Sequence, residues 1–492
     1  RRQRQMCIRD SIMASRLYKR FAVPAATALS MTALLAGTAQ ALPVTQQQDA
    51  TVFTIGQDGM TLNKGTSKGN SRLEYTSAPQ ELSGPTRGYI MIAGKQTKPA
   101  NARLFTRQPG YNPYQFVAPM GKGPDKNSMD SKEGFKPEQL ATLYRSDVPK
   151  NISYSKVISG FYAAMDRADI KTANANLVMS INNNASLVQI QRAVADSNDE
   201  NLITMSDALG TRLGKIYRDL YIGGKLVKLQ QLVGGDMSRA FNFTNATGLE
   251  KAHYRNPRPF KEFPEHLKYY YETQGDFNSD KGYSGLALSY PSGHTNRAYI
   301  KGIILAAVFP EFAPQLLARA SEVGFNRVVM GVHYPLDTVA GRMTGTASMA
   351  WHFADKRFYP LIAEAARDTR AIVEKACGTT IMKCWKQGKP FLSEAESIRV
   401  YTARMNYNLP NVGKAGQPMT VPETASALLL AKYPQLTDAQ RDRILMLSSM
   451  DSGSPLDFEG QDGFWQRINL AKALSAHVKQ LGNGAIQVRF AA

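Results

Sequence analysis

From about Ile152 onward the chain repeats apolar residues at three- and four-residue spacing, the mark of helices with one buried face. The pattern predicts helices at ISYSKVISGFYAAMDRA (152–168), ASLVQIQRAVADS (185–197), LITMSDALGTRLGKIYRDLYI (202–222) and KLVKLQQLVGGDMSRAF (225–241). It resumes at IKGIILAAVFPEF (300–312), FAPQLLARASEVGFNRVVM (312–330) and LDTVAGRMTGTASMAWHFA (336–354). A C-terminal segment follows, with helical spacing at RFYPLIAEAARDTRAIVEK, EAESIRVYTARM, ETASALLLAKY and DAQRDRILMLSSM. Residues 42–150 read differently, rich in Gly, Pro, Ser, Thr, Asn and Gln, as an irregular extension with short strands at TVFTI and GYIMIAG. The expected class is all-α: a multi-helix bundle over 151–370, an irregular N-terminal extension over 42–150 and a helical C-terminal segment over 371–492.

The first 41 residues are set apart. Arg16, Lys19 and Arg20, the apolar run FAVPAATALSMTALLAG and the sequence Ala39-Gln40-Ala41 have the order of a secretory signal, predicting cleavage before Leu42. A membrane anchor is the competing reading, but Pro24 and several polar residues interrupt a run that is short for a span. Residues 1–12 read as translated upstream sequence, with the signal starting at Met13. Beyond the signal no apolar run is long enough to cross a membrane, so a periplasmic or secreted location is expected.

Residues 1–41 hold seven Lys/Arg and one acid, so their removal lowers the net charge from +20 to +14. A basic protein of this kind suits anionic substrates or an anionic envelope, although scattered charges also serve plain solvation. No zinc finger, Walker-type loop or aromatic-and-basic pattern is present, so nucleic acid is not an expected partner. Of the three cysteines, Cys7 lies in the leader, leaving Cys377 and Cys384 in CGTTIMKC. In an oxidising compartment they suit a disulfide; two separate thiols or half of a metal site are the alternatives, and no His or second Cys pair stands nearby to complete the latter.

Three short segments carry chemistry. In YPSGHTNR (290–297), Ser292 falls at the N-cap of a buried helix and His294 in its first turn, which places bare N–H groups, a hydroxyl and an imidazole at a positive helix end. An ordinary cap beside a surface His is the plainer reading of that stretch alone. Upstream, KAHYRNPRPF supplies Lys251 and Arg258 before Pro259; downstream, FNRVVMGVHYPLDTVAGR supplies Arg327, His333 and Asp337. Pro335 suits the first position of a helix, which leaves His333 just outside and lets Asp337 reach back to groups before the helix. An acid bonded to one ring nitrogen would fix the tautomer and free the other nitrogen as nucleophile; the plain alternative is a capping Asp and a satisfied loop His. Three cations, two imidazoles and a carboxylate are what phosphoryl transfer without a metal requires, the arginines giving forked contacts to phosphate oxygens.

Together, K-x6-R-P, P-S-G-H and an Arg followed by H-x3-D resemble the type 2 phosphatidic acid phosphatase superfamily, and KAHYRNPRPF and SYPSGHT look most like its bacterial class A nonspecific acid phosphatases. The resemblance covers about Lys251 to Arg342, with a faint further likeness in GFWQRINLAKAL. It implies a metal-free acid phosphatase acting on phosphorylated small molecules. His333 would form a phosphohistidine, oriented by Asp337, and His294 would act as general acid and then base. Lys251, Arg258, Ser292, Gly293 and Arg327 would bind phosphate. Asn326 stands where the family usually has Ser, which puts the detail of phosphate bonding there in question. His253, His266, His352 and His477 are left with structural or surface roles. Vanadium-dependent haloperoxidases, which bind vanadate in such a site, and a noncatalytic phosphate-binding envelope protein are the alternatives.

Overall fold

The computed structural model describes residues 52–56, 59–63, 88–92, 95–97, 133–141, 156–197, 201–234, 247–274, 277–278, 288–458, 462–482 and 484–490. These belong to one of the two units into which the chain divides, residues 51–64 with 72–492. The signal segment, the Leu42 cleavage site and most of the expected extension lie outside the described residues.

Two strands of the extension fall where they were expected. β1 (Val52–Gly56) pairs with β2 (Gly59–Asn63), and β3 (Gly88–Ile92) pairs with β4 (Lys95–Thr97). Helices follow: α1 (Pro137–Ala141), α2 (Phe161–Met165), α3 (Ala168–Asn183), α4 (Leu187–Asp196), α5 (Asn201–Thr204), α6 (Thr211–Ile222), α7 (Val227–Val233), α8 (Gly248–Tyr254) and α9 (Pro259–Glu262). β5 (Lys268–Gln274) then adds to β3, with Tyr89 opposite Tyr271, and to β6 (Phe277–Asn278). After it come α10 (Gly293–Val308), α11 (Ala313–Val329), α12 (Pro335–Ala354), α13 (Tyr359–Cys377), α14 (Ile381–Lys386), α15 (Glu394–Arg404), α16 (Asp438–Ser448) and α17 (Leu470–Ala473), and a β7 (His477–Gln480), β8 (Ile486–Arg489) hairpin ends the chain. The all-α expectation holds, with small antiparallel sheets added to the helices.

Helices α10, α11 and α12 are buried along nearly their whole length, α11 with a polar face of Arg319, Glu322 and Asn326 besides its apolar residues. Their close approach depends on residues without a side chain. A Cβ on Gly341 would come within 2.5 Å of the Ser292 carbonyl, and one on Gly345 within 2.8 Å of the Asn296 carbonyl. The (i, i+4) glycines of α12 therefore let it lie directly against the first turn of α10. That contact brings the head of α12 to the PSGH segment, fixed further by the Ser292 N–H donating to the Asp337 carbonyl at 3.0 Å.

Some sequence expectations are corrected. The helix expected over 202–222 is three pieces, α5, a 3-10 turn (Met205–Leu209) and α6, the last set off by Gly210 at φ +77. The segment 423–433 forms a 3-10 turn over Ala425–Leu429 rather than an α-helix, following Pro422 and a left-handed Thr424. Helix α3 was not anticipated: Asn174 and Asn182 sit on its buried face and disguise the apolar stripe of Ile170, Val178 and Ile181. Both asparagines are pins. Asn182 Nδ2 donates to the carbonyls of Lys268 and Val329, each at 2.8 Å, and Asn174 Oδ1 accepts from the Leu336 N–H at 3.0 Å. Cys377 and Cys384 form a disulfide, Cα atoms 5.9 Å apart, between the end of α13 and α14. Among the described residues no helix is long and apolar enough to cross a membrane.

Candidate active site

Each motif residue sits at the end of an element. Ser292 is the N-cap of α10, its hydroxyl oxygen accepting from the Thr295 N–H at 3.3 Å and the Thr295 hydroxyl at 2.8 Å. Gly293 opens that helix, and a Cβ there would stand 2.9 Å from the Thr247 hydroxyl. Arg258 is the N-cap of α9, with Pro259 in the first position. Tyr334 is the N-cap of α12, Pro335 its first residue, and Asp337 reaches back to the Tyr334 N–H at 2.9 Å.

The motifs converge on His333. Its Nδ1 lies 3.1 Å from Asp337 Oδ2, and its Nε2 lies 3.2 Å from Arg258 Nη1, which also donates to the Val332 carbonyl at 2.7 Å. Since a guanidinium only donates, Nε2 is the acceptor and Nδ1 carries the proton toward Asp337. Burial, then the charges of Arg258, Lys251 and Arg327, hold the His333 pKa well below the usual value and keep the ring neutral. Burial pushes the Asp337 carboxyl up to about 7, against the Tyr334 N–H, Lys251, Arg258 and the Ser289 hydroxyl. Burial and then Arg327 lower Arg258 to about 10; burial and then Arg258 hold Lys251 well below its ordinary value. The cations thus oppose one another around a neutral imidazole, which suits a multiply charged anion.

Lys251 also braces the loop, its Nζ donating to the carbonyls of Ser289 (2.7 Å) and Pro291 (2.6 Å). His294 is half-buried, and its Nε2 meets the Ser197 carbonyl at 3.2 Å. His333, Asp337, Ser292 and Arg327 are buried, while Lys251, Arg258, Gly293 and His294 keep some exposure. Asn326 turns elsewhere: its Nδ2 donates to Asp196 Oδ2 at 2.6 Å and its Oδ1 accepts from Gln189 Nε2.

Several supports were not foreseen. Tyr290 and Tyr254 pack with Phe161, at ring separations of 4.0 Å (Tyr290) and 5.3 Å (Tyr254), and both hydroxyls donate to the Ile158 carbonyl. This cluster joins α8 to the loop before α10; an aromatic at each motif's edge was its sequence trace. The remaining histidines take no place in the cluster: His253 lies edge-on to Tyr254, His352 Nδ1 bonds the Ser348 carbonyl at 2.8 Å, and His266 and His477 are exposed. Among the described residues no group of three or more His, Cys, Asp or Glu is placed to hold a metal ion.

Residues 238–359 match the family model described as the PAP2 superfamily, a range that encloses all three motifs. Over that range the chain is similar to the PAP2 superfamily. The chain is 34% identical over 105 residues to a Salmonella typhi protein named Non-specific acid phosphatase, a match covering 21% of this chain and 39% of the relative. It is 31% identical over 87 residues to a protein of that name from Providencia stuartii, covering 18% and 35%, and 30% identical over 113 residues to the Acid phosphatase of Zymomonas mobilis, covering 23% and 39%. The chain therefore spans about two fifths of the length of the curated relatives it matches. The range that matches the family model includes both histidines of the cluster, His294 and His333.

Proposed function

We propose that the PAP2 domain hydrolyses phosphomonoesters of small molecules through a phosphohistidine, without a metal, in a protein exported to the periplasm or beyond. The observation that carries the reading is the His333 ring, held by Asp337 at Nδ1 with its Nε2 lone pair turned to Arg258, 3.2 Å away. Arg258, Lys251 and Arg327, with the Ser292 hydroxyl and Gly293 N–H, hold the phosphoryl oxygens as charge shifts among them. His333 Nε2 attacks phosphorus and the bond to the leaving oxygen breaks, His294 passing that oxygen a proton. His294 then takes a proton from water, whose oxygen attacks phosphorus; the P–N bond breaks, and inorganic phosphate leaves. Export is supported by the leader pattern and the Cys377–Cys384 disulfide.

Rapid quench with labelled substrate tests the roles. His333→Ala should trap no label and lose turnover on every ester, while His294→Ala should accumulate acid-labile phosphoenzyme and lose about a hundredfold or more on alkyl phosphates. Label on the His333→Ala protein sinks the assignment. Activity should survive EDTA and fall with vanadate; loss on chelation that a divalent ion restores would reject the metal-free mechanism. N-terminal sequencing of protein from the periplasmic fraction should begin at Leu42, and a start upstream of it in mature protein argues against this signal.

A further inference from the structure

Helix α4 meets α11 through a buried polar interface. Gln189, Arg192 and Asp196, spaced for one face of α4, oppose Arg319, Glu322 and Asn326, spaced likewise on α11. Asp196 receives two bonds from Arg319, at 2.7 and 2.9 Å, besides the one from Asn326. The next residue, Ser197, caps the helix: its hydroxyl folds back onto the Val194 carbonyl at 2.6 Å, and its own carbonyl points at His294 Nε2, 3.2 Å away. A carbonyl accepts only, so Nε2 carries the proton and, in the neutral ring, Nδ1 has the lone pair.

The last carbonyls of a helix lack intrahelical partners and form the negative end of its dipole. The Ser197 carbonyl brings that pole to His294. With it around the His333 ring are Lys251 from α8, Arg258 at the head of α9, Arg327 from α11 and Asp337 at the head of α12, while Glu250 acts on Lys251; Arg297 follows three residues on along its own helix. Lys251, Arg258 and Arg327 act on the His333 ring, whereas a general acid must carry its proton. Asp337 is committed to His333 and the Tyr334 N–H.

We propose that the end of α4 is a positioning element of the active site: the Ser197 carbonyl holds His294 by Nε2–H, keeps the ring protonated and turns Nδ1 to the leaving group. Asp196, locked by Arg319 and Asn326, fixes where that carbonyl stands. The proposal rests on the reading of His294 as general acid. It accounts for the departure at Asn326, which spends its amide on this anchor rather than on phosphate.

The test uses the full chain with Ser197→Gly, which keeps the carbonyl but frees its direction, and Asp196→Asn, which removes an acceptor for Arg319 and Asn326. Rates on glycerol 2-phosphate and p-nitrophenyl phosphate are followed across pH, and the imidazole nitrogens by NMR, His294 being assigned through His294→Ala. Both variants should lose about tenfold more on the alkyl ester than on the aryl ester. The basic limb of kcat/KM should move down by about one pH unit. Once the ring is titrated to its neutral form, wild type should show the remaining His294 proton on Nε2. Equal losses on both esters with an unmoved basic limb, in Ser197→Gly protein that melts like wild type, overturn the proposal; so does an Nδ1–H tautomer in the neutral ring. Failure of the underlying reading looks different: His294→Ala would then affect both esters alike.

Discussion

Arg342 tests how the C-terminal segment is held to the helix that carries Asp337. Its side chain is 1% exposed and donates to four backbone carbonyls of that segment: Gln466 at 2.9 Å, Met405 at 3.3 Å, and Trp465 and Ile468 at 3.4 Å. In Arg342→Met the aliphatic stem is roughly retained and the donors are lost. One short charge-assisted bond contributes about 1.5–3 kcal/mol, and the three long ones, at the weak edge of the geometry, add about 1 kcal/mol together. Local opening of the segment should thus become easier by about 3 kcal/mol, which at ~1.4 kcal/mol per decade is a little over a hundredfold in the opening constant. Hydrogen exchange at the amides of residues 463–473, under conditions where exchange follows the opening equilibrium, should quicken by about that factor. Lys215→Ala is the comparison, since the Lys215–Asp219 pair spans 2.5 Å with side chains 62% and 55% exposed. It should change exchange by about twofold or less. An acceleration below about threefold at 463–473 in Arg342→Met would refute the reasoning, because a buried guanidinium serving four carbonyls cannot be removed so cheaply if those bonds hold the segment.

Other outcomes follow from the same contacts. Burial raises the Asp207 carboxyl to about 7 against Arg192 and Arg319, so its contribution to stability is complete below about pH 4 and is lost as pH rises through about 7; the melting temperature of wild type minus that of Asp207→Asn should fall from pH 5 to pH 8, and a difference that grows with pH contradicts the sign. Reducing the Cys377–Cys384 disulfide, which closes a loop of sequence separation 7, should cost about 2–3 kcal/mol in the loop-entropy account; it should lower the melting temperature without changing kcat, and a parallel loss of turnover would tie α14 to the site. Replacing Arg192 and Glu322 together by Met and Leu should leave stability within about 2 kcal/mol while raising KM; an unchanged KM would show that the ionic character of this interface has no part in aligning the site.

What was legible in the sequence is what helix ends make legible. Ser292 before Gly293 and Pro335 after Tyr334 mark the starts of α10 and α12, and both starts fall where their residue types place them. His333 and Asp337 come to the PSGH segment because buried helices hold the starts of α10 and α12 side by side, and Arg258 joins them by donating to the Val332 carbonyl. The supports were hidden for the opposite reason: they are polar residues in buried positions. Asn174 and Asn182 hid the apolar stripe of α3, although one accepts from the first turn of α12 and the other holds the Val329 carbonyl shortly before His333. Strand β5 was missed because its partner β3 lies far back in the chain, and pairing over such a separation leaves no local pattern. Asn326 was noticed as a departure, but its direction depends on Gln189 and Asp196, which periodicity could mark only as one face of a helix.

The placement of charge between α4 and α11 follows from what the site demands of α11. Two guanidiniums, Arg192 and Arg319, face the carboxylates of Asp196, Asp207 and Glu322. Burial alone would push Glu322 up, yet Arg192 and Arg319 outweigh it and hold it down, so the excess acid falls on Asp207. An apolar interface would bury the same surface without the desolvation cost, so stability is a weak reason for this arrangement. Register is a better one. Apolar ridges can slide by a fraction of a turn with little loss, whereas Gln189–Asn326, Arg192–Glu322 and Asp196–Arg319 bonds all fail together if α11 shifts along α4. Arg327 is the residue next to Asn326, and under the proposed function a displacement of about 1 Å in it is enough to lose much of its effect on a transition state. The ladder is therefore best understood as fixing Arg327 lengthwise, while the glycine face of α12 fixes His333 from the other side.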